Sequence, residues 1–283
     1  MSAVAVEETK AAKPFLRWAG GKARLVPELI KLAPKTFRAY REPFLGGGAL
    51  FFALQPKHAV LSDANDELIH AYTIVRDRPV ELITILRATA QAHSKEHYLL
   101  ARALDPQKLD PVLRAARLLY LNSTCFNGLF RVNSKGQFNV PWDPGRSGSV
   151  NEHVIFAASQ ALRGQDIYGQ DFRKIEYAAL EGDFVYFDSP YVPLTPTANF
   201  TAYTTGGFTH KDQVDLRDLA LRLKRRGVHV LLSNSGTPVV EQLYGGALYG
   251  GNKDDFKLHP VAARRNINSK GTGRDSVKEY IIR

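Results

Sequence analysis

Ala39-Tyr40-Arg41-Glu42-Pro43-Phe44-Leu45-Gly46-Gly47-Gly48 sets the architecture of this 283-residue chain. Residues 39–42 read as a short strand, Pro43 to Gly48 as a turn, and a helix opens at Ala49. Residues 58–62 form a second short apolar strand closed by Asp63, and a helical pattern follows over residues 66–76. Strand, glycine-rich turn, helix, strand is a βαβ unit, so the sheet is expected to be parallel here. On the N-terminal side, residues 25–33 carry apolar positions at helical spacing. Residues 1–13 are small, polar and charged, and read as a frayed leader ending at Pro14.

Beyond Pro79 the texture changes. Residues 80–92 and 111–121 are helical in pattern. Residues 128–148, rich in Gly, Asn, Ser and Pro, suit a hairpin or ordered loop, and Ser149 is placed to cap a helix over 150–162. The βα texture resumes at Ile167, with strands expected at 183–187, 229–233, 257–262 and 277–282 and a long amphipathic helix at 211–226. The fold class is therefore α/β, Rossmann-like. Residues 14–76 and 166–283 form one domain, and 77–165 form an inserted, mostly helical domain containing a hairpin.

Thirty-eight Lys and Arg against 28 Asp and Glu leave a formal charge of +10. Between residues 76 and 163 there are twelve basic and seven acidic side chains, so half of the excess lies in the middle third of the chain. A polyanion such as nucleic acid is the partner this charge favours. The one cysteine, Cys125, excludes an internal disulfide and any clustered-cysteine zinc site. With no secretory h-region and no run of about 18 apolar residues, the expected compartment is cytoplasmic and no membrane is involved.

Several motifs compete for the chemistry. Glycines between a strand and a helix let a ligand approach the backbone closely. A dinucleotide fingerprint fails because the sixth residue counted from Gly46 is Phe51, and Gly20-Gly21-Lys22 fails as a Walker loop because Leu16 and Ala23 occupy its Gly and Ser/Thr positions. Asp63, ending a strand, suits ribose hydroxyls. His93-Ser94-Lys95-Glu96-His97 fits the H-x-x-E-H zinc pattern, but a solvated helix face explains it better. The sharpest signal is Asp183-Phe184-Val185-Tyr186-Phe187-Asp188-Ser189-Pro190-Tyr191. An apolar strand delivers Asp188 to its C-terminal end, beside a backbone carbonyl and an aromatic ring. Carboxylate and carbonyl can accept both hydrogens of an exocyclic amino group while the ring stacks on the base, a pocket for an extruded nucleobase. Taken alone, the stretch equally suits an Asp188 that caps a turn and a Tyr191 that packs in a core.

In order, Phe15-Leu16-Arg17-Trp18-Ala19-Gly20-Gly21-Lys22, Glu42-Pro43-Phe44-Leu45-Gly46-Gly47-Gly48 and Asp188-Ser189-Pro190-Tyr191 resemble the leading motifs of Dam-like N6-adenine DNA methyltransferases of the α class. Cys125-Phe126-Asn127-Gly128-Leu129-Phe130-Arg131-Val132-Asn133 with Gly136-Gln137-Phe138-Asn139-Val140-Pro141 is similar to that family's target-recognition hairpin. Thr197-Ala198-Asn199-Phe200-Thr201 is similar to its segment after the catalytic turn.

The resemblance implies a mixed seven-stranded methyltransferase sheet, S-adenosyl-L-methionine as cofactor, double-stranded DNA as substrate and no metal. It implies that Trp18, Lys22, Glu42, Phe44, Gly46, Gly48, Asp63, Asp171, Phe172 and Asp188 hold the cofactor. Asp188, Ser189, Pro190 and Tyr191 would be catalytic, with Ser189 standing where the family most often has proline. The carbonyl acceptor survives that change, but proline's fixed φ is lost. Arg131 would read a guanine edge in the major groove and Phe126 and Asn127 would wedge beside the flipped adenine. Leu129 and Pro141 would touch a thymine methyl, and Asn133 and Lys135 complete the DNA-facing set. Lys135, Arg114 and Arg117 are candidates for phosphate contact or simple solvation, and Arg264, Arg265, Lys270 and Arg274 for a second phosphate-facing loop. Relatives with such a hairpin commonly modify GATC. The expected enzyme is a monomer, with a separately acting restriction endonuclease as a candidate companion.

Three rivals stand beside this reading. Cytosine-C5 transfer needs a thiolate, and Cys125 follows no proline. N4-cytosine transfer uses a similar amino pocket. A non-catalytic DNA-binding relative would keep the fold alone, against which the intact Asp188 and Tyr191 argue.

Overall fold

The structure, a computed structural model, describes residues 12–192, 207–246, 255–264 and 276–283. Its elements in chain order are α1 (Val26–Leu32), β1 (Tyr40–Glu42), α2 (Ala49–Leu54), β2 (Ala59–Asp63), α3 (Asp66–Asp77), α4 (Pro79–Gln91), α5 (Lys95–Ala103), α6 (Pro111–Thr124) and α7 (Glu152–Leu162). Then come β3 (Asp166–Gly169), α8 (Ile175–Ala178), β4 (Phe184–Phe187), α9 (His210–Arg225), β5 (His229–Ser235), α10 (Pro238–Tyr244), β6 (Leu258–Arg264) and β7 (Ser276–Ile282). Contacts divide the chain into two compact units. One takes the chain up to Ala19 with His70–Gly164, the other Gly20–Ile69 with Gln165–Arg283.

The second unit is built on a seven-stranded sheet in the order β3-β2-β1-β4-β5-β7-β6. The pairings β2/β3, β1/β2, β1/β4 and β4/β5 are parallel, and β7 runs antiparallel to both β5 and β6. The expected mixed seven-stranded sheet is thus present. Strand β4 is buried along its whole length, as its unbroken apolar run requires of a strand covered on both faces. Val185 and Phe187 meet Val230 and Leu232 of β5 and the α9 stripe Leu216, Leu219, Ala220 and Leu223, spaced so that they share one face of the helix. Phe184 points the other way, 5.5 Å from the Tyr40 ring. Helix α9 opens with a capping box between Thr209 and Asp212, one residue before the expected start.

Strand order reverses between β1 and β4, because β2 lies on one side and β5 on the other. Open α/β sheets bind ligands beyond the C-terminal ends of the strands at such a switch point. Glu42 ends β1 and Asp188 follows β4.

The other unit holds α4 to α7 and residues 125–148. Antiparallel bridges Val132–Phe138 and Cys125–Trp142 tie that segment together, and Phe138 and Val140 bury against Tyr98, Tyr120 and Leu121. Residues 14–19 pack here too: Phe15 lies edge-on to Tyr72 and the Arg17 backbone pairs with Asn122. The cap of α7 differs from expectation. Asn151, not Ser149, accepts from the Val154 N–H, while the hydroxyls of Ser147 and Ser149 bond each other at 2.8 Å. A helix turns on whichever short polar side chain can reach its third N–H, and the chain is still non-helical at Gly148, where φ is +70°. His93 packs so closely there that a Cβ would lie 2.8 Å from its ring.

Candidate active site

The turn after β4 is held on every side. Asp188 Oδ1 accepts from Lys22 Nζ at 2.9 Å and from Ser233 Oγ at 2.8 Å. Tyr186, two residues before Asp188 in the chain, bonds the same serine hydroxyl at 3.0 Å. Lys22 Nζ also donates to the Gly20 carbonyl and stands 4.3 Å from the centre of the Tyr191 ring. The Tyr191 hydroxyl donates to Glu279 on β7 at 2.9 Å, and burial pushes that phenol well above its usual pKa, so it stays a donor. Both donors to Asp188 use one oxygen, which leaves Oδ2 directed elsewhere.

Across the switch point, the turn after β1 needs glycine. Gly46 and Gly48 have φ of +48° and +64°, a region that side chains with a Cβ avoid. The Gly46 N–H donates to Asp63 Oδ2 and the Asn65 N–H to Asp63 Oδ1, each at 3.0 Å. Burial raises the Asp63 carboxyl to about 6 despite those bonds. Glu42 is buried with the Tyr40 hydroxyl donating to it at 2.9 Å. Burial pushes its pKa well up; the Tyr40 bond opposes this, and the charges of Asp188 and Asp63 add to the rise. Three carboxylates therefore converge with one lysine. The buried Asn65 Nδ2 beside them has no hydrogen-bond partner.

Phe44 stacks on Phe172 at 5.1 Å, and Phe172 is part of the core. Asp171 caps the short turn that follows β3 and pairs with Arg173 at 3.0 Å. Arg173 also reaches Asp212 and Asp215 of α9. Trp18 belongs to the other unit, where it stacks on Phe130 at 5.4 Å.

In that unit Phe126, Asn127, Arg131, Asn133, Lys135 and Pro141 are exposed and Leu129 is half-buried. The turn of the hairpin is an Asn133 device: its Oδ1 accepts from the N–H groups of Lys135 and Gln137, both at 3.0 Å. Arg131 lies along the opposite arm, donating from Nε to Asn139 Oδ1 at 2.7 Å and from Nη2 to the Asn139 carbonyl at 3.2 Å.

Some expectations change. Arg117 is buried and donates to the carbonyls of Ala101 and Arg102 at 2.8 and 2.9 Å, so it closes the C-terminus of α5 rather than meeting solvent or phosphate. His93 precedes α5, whose N-cap is Ser94. Its two ring nitrogens bond the Tyr120 hydroxyl and the Arg146 carbonyl, both at 2.9 Å, so the segment is packed at one end rather than solvated throughout. No cluster of metal-binding side chains occurs among the described residues. Cys125 is buried and its thiol is raised to about 11 by burial, which removes the thiolate that C5 transfer needs. Residues 197–201, Arg265, Lys270, Arg274, the side chain of Arg264 and most of the leader lie outside the described residues. Ser233, Gln213, Asn234 and Glu279 were not singled out from the sequence. The one available signal was the polar run Ser233-Asn234-Ser235 closing an apolar strand.

The family profile of the D12 class N6 adenine-specific DNA methyltransferases matches residues 18–267. The chain belongs to this family. Its relatives include the Type II methyltransferase M1.LlaDCHI of Lactococcus lactis subsp. cremoris, 42% identical over 95% of this chain and 94% of its own length. The Type II methyltransferase M.MjaIII of Methanocaldococcus jannaschii is 35% identical over 95% and 98%. The DNA adenine methylase of Escherichia coli K12 is 34% identical over 96% and 95%. As a D12-class enzyme the protein is an adenine-specific DNA methyltransferase whose substrate is DNA. No described helix is long and apolar enough to cross a membrane.

Proposed function

We propose that the enzyme transfers the methyl group of S-adenosyl-L-methionine to N6 of an adenine swung out of duplex DNA, within GATC, at the C-terminal ends of β1, β2 and β4. The observation that carries this is Asp188, fixed through one oxygen by Lys22 and Ser233 with its second oxygen uncommitted, beside a Tyr191 ring anchored by Glu279.

The residues fit the cofactor by charge and by shape. Asp63 and Asp188 outnumber Lys22, and Glu42 beside them is an acid that a cationic ligand would favour in its ionised form, which suits a ligand bearing a sulfonium and an ammonium. The left-handed glycines at 46 and 48 bring backbone close, and Asp63 has acceptor capacity left for ribose hydroxyls. Lys22 and Glu42 lie at the same sheet end, and Phe44 and Phe172 form one aromatic stack with Asp171 adjoining. When bound, the cofactor supplies a methyl group already activated for transfer. The protein's own part is alignment and electrostatics. Adenine N6 is a weak nucleophile because its lone pair is delocalised into the ring. Asp188 Oδ2 and a carbonyl of the turn would accept its two hydrogens and favour a more pyramidal nitrogen, while Tyr191 would support the base face.

In the helical unit, which we assign to target recognition, Arg131 is already extended along the hairpin by Asn139 and would turn its guanidinium fork to guanine O6 and N7. The exposed Phe126 and Asn127 would fill the step vacated by the base. The Asn127 backbone is held at φ +56° next to Gly128 at +64°, a tight turn that presents both side chains. The Type II names of two relatives support a place in a restriction-modification pair, and the enzyme would act as a monomer in the cytoplasm. Incubating unmethylated plasmid with protein and cofactor, then mapping modified bases, tests the reading: N6-methyladenine at GATC is expected. Methyl groups on cytosine N4, or on adenines without sequence preference, would contradict it.

A further inference from the structure

The turn that carries Asp188 has Ser189 where proline would have locked one backbone dihedral, yet side chains from outside the turn hold it. Gln213 of α9 is buried and donates from Nε2 to the Pro190 carbonyl at 2.8 Å. Its Oε1 accepts from Asn234 Nδ2 at 3.1 Å. Asn234 Oδ1 in turn accepts from the N–H of Val192 at 3.1 Å and of Ser235 at 2.8 Å. Ser235 Oγ donates to the Val192 carbonyl at 2.8 Å.

These bonds fix the amide orientations. Because Asn234 Oδ1 serves two N–H groups, its nitrogen must face Gln213, and Gln213 must then present its own nitrogen to Pro190. The Pro190 carbonyl already takes the Gln213 donor, and the neighbouring Ser189 carbonyl, next to Asp188 in the chain, is the acceptor we assign to a substrate amino hydrogen. We propose that Gln213, oriented by Asn234, is a positioning residue that supplies from α9 the stiffness that Ser189 withholds. It aims the Ser189 carbonyl and Asp188 without touching substrate or cofactor. This inference rests on the reading of residues 188–191 as the reaction site.

Single-turnover methyl transfer to DNA, with cofactor affinity and thermal melting measured alongside, tests it in wild type, Gln213→Ala and Gln213→Glu, the first two with and without Ser189→Pro. A misaimed acceptor is expected to slow Gln213→Ala by about 10- to 100-fold while cofactor affinity changes by less than about threefold. Ser189→Pro should raise the rate of Gln213→Ala by a factor at least about three times larger than it raises wild type, because both changes act on the same turn. Gln213→Glu keeps the volume and the bond from Asn234 but donates to Pro190 only when protonated. Its rate relative to wild type at the same pH should therefore climb as pH falls, a response that loss of packing would not produce, and this arm stands if Gln213→Ala does not fold. An active wild type with variants at its own rate, equal factors from Ser189→Pro in both backgrounds, or a pH-independent Gln213→Glu ratio overturns the clamp alone. A wild type that transfers no methyl to DNA overturns the site reading and the clamp with it.

Discussion

Asp188 receives two hydrogen bonds on one oxygen, and that asymmetry gives the site its direction. Asp188→Ala removes the acceptor and leaves Lys22 without its carboxylate, so kcat should fall by at least about 10²- to 10³-fold; a loss under tenfold in a steady-state methyl-transfer assay would place the chemistry elsewhere. Asp63 gives a pH signature. With its carboxyl raised to about 6 by burial, and a cationic cofactor favouring the ionised form, binding below that pH must release a proton. Cofactor affinity should then weaken by up to about tenfold per pH unit below it, with proton release visible by calorimetry in two buffers. Asp63→Asn should abolish the slope, and a flat profile in wild type would separate Asp63 from the cofactor. The strand-end places of Asp63, which closes β2, and Asp188, which follows β4, were legible in the sequence because each comes at the end of an apolar run. Gln213 and Glu279 were not, because their partners lie 23 and 88 residues away and nothing local marks them.

Strand β4 opens on a buried ion pair. Asp183 is fully buried and takes Arg38 Nε at 2.9 Å and Arg41 Nε at 2.6 Å. Burial pushes its carboxyl up, but the Leu180 N–H and the two guanidiniums outweigh that and hold it low. Its contribution to stability is therefore complete above the unfolded carboxylate value of about 3.9 and is lost as pH falls through the lower folded value. Asp183→Ala leaves Arg41 buried without a counter-charge and should cost about 3–5 kcal/mol in denaturant unfolding at neutral pH; a cost below about 1 kcal/mol would show that the pair is not effectively desolvated. The hairpin carries a different test. Arg131→Ala should cost about 1–3 kcal/mol of discrimination at one base position, read from methylation rates on substituted oligonucleotides. A uniform loss on all sequences would reassign Arg131 to the DNA backbone. Asp183 was visible in the sequence as the start of a strand, but its partners were not, since Arg38 and Arg41 arrive through the β1–β4 pairing. The cap of α7 was misplaced for a related reason: Ser149 and Asn151 are both competent caps, and the packing of Gly148 on His93 helps decide between them.

Two compact units and a net charge of +10 describe a DNA methyltransferase that meets a polyanion, with its proposed reaction site at a sheet switch point. DNA affinity should fall steeply with salt, log K changing by about −0.9 per phosphate contacted for each unit of log salt; a slope near zero in a fluorescence-anisotropy titration would mean that the basic excess does not face DNA. The parallel half of the sheet was readable from one βαβ stretch, because glycine turns and buried apolar strands are local signals. The placement of residues 14–19 with the helical unit was not, because it is set by Phe15 on Tyr72 and Arg17 on Asn122, contacts that no local pattern announces. A crystal structure with S-adenosyl-L-methionine and an adenine-containing duplex would judge the whole. The account predicts an extruded base on Tyr191 whose amino nitrogen bonds Asp188 Oδ2 and lies about 3–3.5 Å from the donated carbon. A sulfonium bound away from the β1 and β4 ends, or a base seated elsewhere, would contradict it.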